Sequence, residues 1–190
     1  MTVQEYISLA PYTTFGIGGP ARFFISVHST DELQEAFAFA KENPPAGGLK
    51  TFILGGGSNV LIDDAGFDGV VIKVDSKGIV FEEVGEQVLV VADAGEQWDE
   101  IVLQSTSRGL WGVENLSGIP GSVGAAPMQN IGAYGSELAD TLEWLEAMDR
   151  DTGDIVRFTK SECEFGYRTS TFKKNQEKWC IIRVALLLHK

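Results

Sequence analysis

At 190 residues, with 44% hydrophobic and 22% charged residues, the chain has the composition of a soluble globular protein. It is long enough to bury about 70% of its unfolded surface, as one large domain or two small packed ones. A net charge of −12 argues against a nucleic-acid or membrane-surface role, because such a surface repels polyanions and anionic lipid.

Residues 21–27 (ARFFISV) are dense in β-branched and aromatic side chains and predict a strand. Ser29 and Glu32 have capping-box spacing. Leu33, Ala36, Phe37 and Ala40 follow at i, i+3, i+4 and i+7, so an amphipathic helix is expected there, ended by Pro44-Pro45 and Gly47-Gly48. Residues 51–54, 60–62 and 70–74 predict three more strands, with a turn region over 63–69. Residues 1–75 thus form one α+β unit, and a second unit covers 76–190. The second opens with a hairpin of 79–83 and 87–92 about Gly85. A helix over 95–108 follows, with Trp98, Ile101, Val102 and Ser105 on one face and Gly109 as its stop. Residues 141–149 and 155–158 read as a hairpin across Thr152-Gly153, and 179–188 as a closing apolar strand. No internal repeat or low-complexity segment is present.

Cys163 and Cys180 form no CxxC pair and have no His at ligand spacing, which argues against a zinc site and reads as core packing. The N-terminus lacks a basic start followed by an apolar run, and the apolar run 180–188 is broken by Arg183 and too short to span a bilayer. A cytoplasmic location is the expectation.

Between the second helix and the 141–149 strand lies the most unusual stretch of the chain. Residues 115–136 (NLSGIPGSVGAAPMQNIGAYGS) contain no Asp, Glu, Lys or Arg, and hold five glycines, three alanines and two prolines. This is neither a regular helix nor a regular strand. Small neutral residues let the backbone approach a ligand closely, so the stretch points to a large flat ligand; a packed structural loop is the alternative. A second glycine-rich segment, residues 54–61 (LGGGSNVL), leaves a strand through Gly55, Gly56 and Gly57. Successive glycine N–H groups can form a nest for phosphate oxygens, with Ser58 and Asn59 adding side-chain donors. It lacks the lysine of a P-loop and the crossover pattern of a G-x-G-x-x-G fingerprint. Together the two segments suggest a dinucleotide held without a Rossmann turn.

Four strings, YTTFGIGGPARFF from residue 12, LGGGSNVLI from 54, GVENLSGIPGSVGAAPMQNIGAYGSEL from 112 and ECEFGYRTSTFK from 162, resemble the UDP-N-acetylenolpyruvoylglucosamine reductase family. In order and spacing they cover nearly the whole chain. The resemblance implies two packed α+β subdomains of the FAD-linked oxidase type (vanillyl-alcohol oxidase, PCMH-type), with FAD as cofactor and NADPH as hydride donor. It implies reduction of UDP-N-acetylglucosamine enolpyruvate to UDP-N-acetylmuramate for peptidoglycan synthesis: hydride reaches the enolpyruvyl C3 and an acid protonates C2. By the same resemblance Gly55, Gly56, Gly57, Ser58, Asn59 and Val60 contact the pyrophosphate. Ile119, Pro120, Gly121, Ser122, Gly124 and Ala125 lie beside the flavin. Asn130, Gly132, Ala133, Tyr134 and Gly135 line the cofactor. Tyr167 and Arg168 match the family's active-site pair. A planar guanidinium suits the role: it can grip the substrate carboxylate in a two-point hydrogen bond as negative charge develops at C2. Lys173 and Lys174 are candidates for phosphate contact or for a solvated pair.

Two departures from the family pattern stand out. Thr14 replaces an asparagine, which removes the two donors of an amide. The family's third domain, which binds the sugar nucleotide and supplies the proton donor, has no match in these residues, so the expectation is a chain that binds FAD without completing turnover. Other readings are an FAD-dependent oxidase acting on a different substrate and a non-catalytic flavin-binding module. A monomer is expected, with dimerisation through the face a third domain would cover as the alternative.

Overall fold

The computed structural model describes residues 1–43 and 48–190. The chain divides into two compact units, Met1–Ser76 and Lys77–Lys190.

In the first unit the elements are β1 (Val3–Ser8), β2 (Pro20–Val27), α1 (Thr30–Glu42), β3 (Thr51–Leu54) and β4 (Phe67–Val74). The sheet order is β1-β2-β4-β3. β1 runs antiparallel to β2, and β4 runs parallel to both β2 and β3. α1 begins where the spacing predicts: Ser29 Oγ accepts from the Glu32 N–H. The Glu32 carboxylate reaches one residue further back than a capping box requires, to the His28 N–H at 2.7 Å, and that bond lowers its pKa. Leu33, Ala36, Phe37 and Ala40 are all buried, as their period demands. The Pro44-Pro45 and Gly47 stop lies outside the described residues; Gly48, at φ +81°, is inside them.

Parallel neighbours need a crossover of a dozen residues or so. α1 supplies one between β2 and β3. Between β3 and β4 the crossover is the irregular segment 55–66, which therefore leaves from the C-terminal end of β3. The strand expected over 60–62 does not form. Val60 and Ile62 pack on the core of Leu9, Ala21, Phe24, Leu54 and Val71, while Leu61 is exposed. Their alternation comes from a loop lying on the core rather than from a ladder.

In the second unit β5 (Ile79–Val84) and β6 (Gln87–Asp93) form the expected hairpin, with Gly85 at φ +62° in its turn. α2 (Trp98–Ser107), a small hairpin of β7 (Gly132–Ala133) and β8 (Ser136–Glu137), and α3 (Leu138–Thr141) follow. Then come β9 (Leu142–Asp149), β10 (Ile155–Thr159), α4 (Thr171–Lys174) and β11 (Trp179–His189). The five long strands make an antiparallel sheet in the order β10-β9-β11-β6-β5. β11 is central, which explains its apolar run; its one charged residue, Arg183, is exposed and pairs with Asp93 and Glu146. The core gathers Val90, Trp98, Ile101, Leu116, Leu145, Phe172 and Val184 among others. Both cysteines are free and buried, Cys163 in this core.

The second helix starts three residues later than its sequence suggests. Gln97 is extended (φ −71°, ψ 135°) and bridges to Ser122. The carbonyls of Ala94 and Glu96 accept from Gly124 and Val123, both at 2.9 Å, and Trp98 N–H donates to the Gly121 carbonyl. Residues 94–97 are thus committed to holding the neutral stretch, and helical geometry would remove those bonds. No helix among the described residues is long and apolar enough to cross a membrane.

Candidate functional site

The residues singled out in the sequence fall into two groups, one in each unit. In the first unit, Gly57 is the buried pivot of the glycine-rich crossover. Its φ is +68°, and a Cβ there would lie 1.9 Å from the Tyr12 carbonyl oxygen, so only glycine fits. Its carbonyl accepts from the Thr14 N–H at 3.0 Å, and Asp63 O accepts from Gly19 N–H at 2.9 Å. Thr13 Oγ1 donates to the Ile17 carbonyl at 2.8 Å, closing the facing turn. Segment 12–19 therefore braces segment 55–63 at two points, which ties the YTTFGIGG and LGGGSNVLI strings together. Asn59 is exposed, while Gly55, Gly56, Ser58 and Val60 are half-buried.

In the second unit, the neutral stretch is not loose. Residues Glu114–Leu116 and Val123–Gln129 form short 3₁₀ turns. The Trp98 indole N–H donates to Leu116 O at 2.9 Å, and Asp99 Oδ1 accepts from Gly118 N–H at 2.7 Å and Ser117 Oγ at 3.1 Å. Gly124 packs so closely on Ala94 that a Cβ would lie 2.6 Å from the alanine methyl. Pro120 and Ala125 are exposed, Ile119 and Gly121 half-buried, and Ser122 buried. The outer surface of residues 119–125 is thus backbone, proline ring and methyl, with no ionic side chain. That chemistry suits a large, flat, mostly apolar ring system.

Asn130 ends the second 3₁₀ turn in the left-handed region (φ 45°, ψ 68°). It is 2% exposed; its Oδ1 accepts from Ala139 N–H at 3.0 Å and its Nδ2 donates to Gly166 O at 3.4 Å. β7 and β8 then close around Tyr134 (φ +52°) and Gly135 (φ +83°). This two-residue turn with both φ positive leaves Tyr134 89% exposed at its tip. A second two-residue tip, with positive φ at its second residue alone, is Tyr167-Arg168, closed by reciprocal bonds between Gly166 and Thr169 at 3.1 and 3.2 Å. Arg168 has φ +53° and Tyr167 is 92% exposed. The Arg168 Nη2 donates to Gly132 O at 2.8 Å, which joins the two tips. Among the described residues, five non-glycine residues have positive φ, and Asn130, Tyr134 and Arg168 are three of them. Backbone held in that region costs about 1–3 kcal/mol per residue and tends to mark functional sites.

Arg168 forms no ion pair among the described residues, so its charge is free for an anion. Lys173 is bound to the turn, its Nζ donating to Arg168 O at 2.9 Å, and Lys174 pairs with Glu164. Sequence reasoning missed Ser170, which is fully buried; its Oγ donates to Met128 O at 2.8 Å and accepts from Lys173 N–H at 3.2 Å. The signal was present as a serine three residues before Lys173, an N-cap for α4. Asp99 was missed too, because a carboxylate in the first turn of α2 reads as a helix-dipole partner.

An FAD binding domain family model matches residues 21–159. That span includes the glycine-rich crossover and the neutral stretch, and ends before Tyr167 and Arg168. The UDP-N-acetylenolpyruvoylglucosamine reductase of Pseudomonas putida is 45% identical over 191 residues, covering 99% of this chain and 55% of the relative. The crystal structure of the UDP-N-acetylenolpyruvylglucosamine reductase from Thermus caldophilus superposes with a TM-score of 0.80 at 32% identity, over 100% of this chain and 63% of that one. A VAO-type flavoprotein from Myceliophthora thermophila shares the fold, with a TM-score of 0.64 at 17% identity, over 90% of this chain and 32% of that one. The resemblance carried by the four strings and the α+β flavoprotein fold both hold. The chain spans about half the length of the curated relatives it matches.

Proposed function

The chain belongs to the FAD binding domain family, and from that premise we propose that it holds FAD for an NADPH-dependent reductase. The reaction, in the protein as a whole, is reduction of UDP-N-acetylglucosamine enolpyruvate to UDP-N-acetylmuramate. The observation that carries this reading is the Arg168–Gly132 bond, which sets an unpaired guanidinium beside the neutral stretch.

The residues present fit the cofactor. Gly55, Gly56, Gly57, Ser58, Asn59 and Val60 would receive the pyrophosphate: with a net charge of −12, anion binding here has to rely on backbone and hydroxyl donors at close range. Ile119, Pro120, Gly121, Ser122, Gly124 and Ala125, with Gly132, Ala133, Tyr134 and Gly135, would hold the ring system against a surface without competing charge; Asn130, its side chain buried and bonded to Gly166 and Ala139, would shape that surface from beneath. When bound, FAD would supply hydride transfer between NADPH and the enolpyruvyl double bond.

Arg168 does the work this chain can do on the substrate. Addition of hydride at C3 leaves negative charge at C2 that spreads into the adjoining carboxylate. A guanidinium placed on that carboxylate binds it more strongly as the charge grows, which is the condition for accelerating the step. Its planar donors suit a two-point hydrogen bond that lysine cannot reproduce. Tyr167, at the same tip, would flank the substrate and shield that bond from water. This reading places the protein in a soluble compartment, in the cytoplasm, where the nucleotide sugar and NADPH occur together.

The test is NADPH consumption dependent on the enolpyruvyl nucleotide sugar, measured in the whole protein. Arg168→Ala is expected to lower kcat by about 10²–10³-fold, the usual loss for one transition-state donor, with Arg168→Lys recovering only part of it. Full activity in Arg168→Ala would remove Arg168 from the reaction.

A further inference from the structure

The Arg168 side chain is exposed and held by one guanidinium bond, to Gly132 O, so its position is set by the turn beneath it. That turn has an arginine at φ +53°, a conformation that persists only when surrounding contacts over-determine it. Two buried side chains do this, one on each stem. Asn130, 2% exposed, donates to Gly166 O on the first stem, sharing that carbonyl with Thr169 N–H. Ser170, fully buried, follows Thr169 on the second stem and donates to Met128 O. Both bonds end on residues 128–130, the segment that leads directly to Gly132. Gly132 O is the acceptor for the guanidinium itself, so one short segment fixes both stems and the charged head.

We propose that Asn130 and Ser170 are positioning residues, a buried two-point clamp that sets where the Arg168 guanidinium points. The proposal rests on the reading above that Arg168 grips the substrate carboxylate. Asn130 then acts through its side-chain bonds to Gly166 and Ala139, and Ser170 does more than cap α4. Neither needs to touch the cofactor or substrate.

Two variants separate clamp from fold. Asn130→Gly keeps the left-handed backbone accessible while removing both side-chain bonds. Ser170→Ala removes one hydroxyl from a buried site. In the FAD-loaded chain, amide hydrogen exchange at Gly166 and Thr169 is expected to rise about tenfold or more in either variant, with the β11 amides unchanged. In the whole protein each variant is expected to lower kcat about tenfold to a hundredfold at unchanged KM for NADPH. In an Arg168→Ala background neither should lower it further, and Ser170→Thr should restore much of the Ser170→Ala loss. Unchanged exchange at Gly166 and Thr169 would overturn the clamp. So would an equal kcat loss with Arg168 already gone, which would mark a purely structural role. If Arg168→Ala itself leaves reduction intact, the functional reading fails, and the exchange data still decide the clamp.

Discussion

Gly57→Ala tests how tightly the glycine-rich crossover is built. An alanine at φ +68° costs about 1–2 kcal/mol for the left-handed conformation alone. Its Cβ would sit 1.9 Å from Tyr12 O and 3.0 Å from Thr13 Cα, both backbone atoms that cannot rotate away. Relief requires the 12–14 and 55–57 segments to separate, which adds overpacking strain of about 1–3 kcal/mol. It also breaks the Thr14 N–H to Gly57 O bond, worth about 1 kcal/mol. The sum is about 4 kcal/mol, which for a chain of this size lowers Tm by roughly 8–16 °C. Gly16→Ala is the matched control: its φ is +66° with nothing within 4 Å of the added methyl, so only the conformational cost of about 1–2 kcal/mol remains. Thermal unfolding followed by circular dichroism, with FAD affinity measured on the same samples, reads both. A Tm for Gly57→Ala within about 2 °C of Gly16→Ala would refute the close approach of these two segments and, with it, the braced shape proposed for the pyrophosphate site.

Ser105 Oγ on α2 is buried without a hydrogen-bond partner, so Ser105→Ala is expected to stabilise the protein by about 1 kcal/mol; an unchanged or lower denaturation midpoint would contradict this. Burial pushes the Cys163 and Cys180 thiols up from 9.0 to about 12, so both should resist a thiol reagent at pH 8 in the folded state. The folded chain also keeps protons there that the unfolded chain releases. Their contribution to stability is therefore complete below pH 9 and erodes as pH rises from 9 towards 12. A Cys163→Ala, Cys180→Ala pair should show a flatter decline in stability over that window; a decline as steep as the parent's would assign it to other groups.

Much of the fold was legible because its signals are local. The period of Leu33, Ala36, Phe37 and Ala40 names a buried helix face, and Gly85 between two β-type runs names a hairpin. The errors came where tertiary bonds outcompete local preference. Residues 95–97 look helical, yet they lie beside the neutral stretch and exchange backbone bonds with it. Val60 and Ile62 alternate like a strand, yet their burial is satisfied by a loop. At the candidate site, composition marked the neutral stretch, and the resemblance named Arg168. Neither could reveal that Asn130 and Ser170 lie under the same turn, because that pairing joins residues about forty apart through backbone carbonyls that carry no sequence signature.

The central claim is that FAD lies along the glycine-rich crossover and the neutral stretch. An FAD titration of the isotopically labelled chain, followed by amide chemical shifts, tests it most directly. The account predicts saturable one-to-one binding, with the largest shifts in residues 55–60, 119–125 and 130–135, and little change in α1 and β10. Saturable binding with its largest shifts elsewhere, or no binding at millimolar FAD, would contradict it.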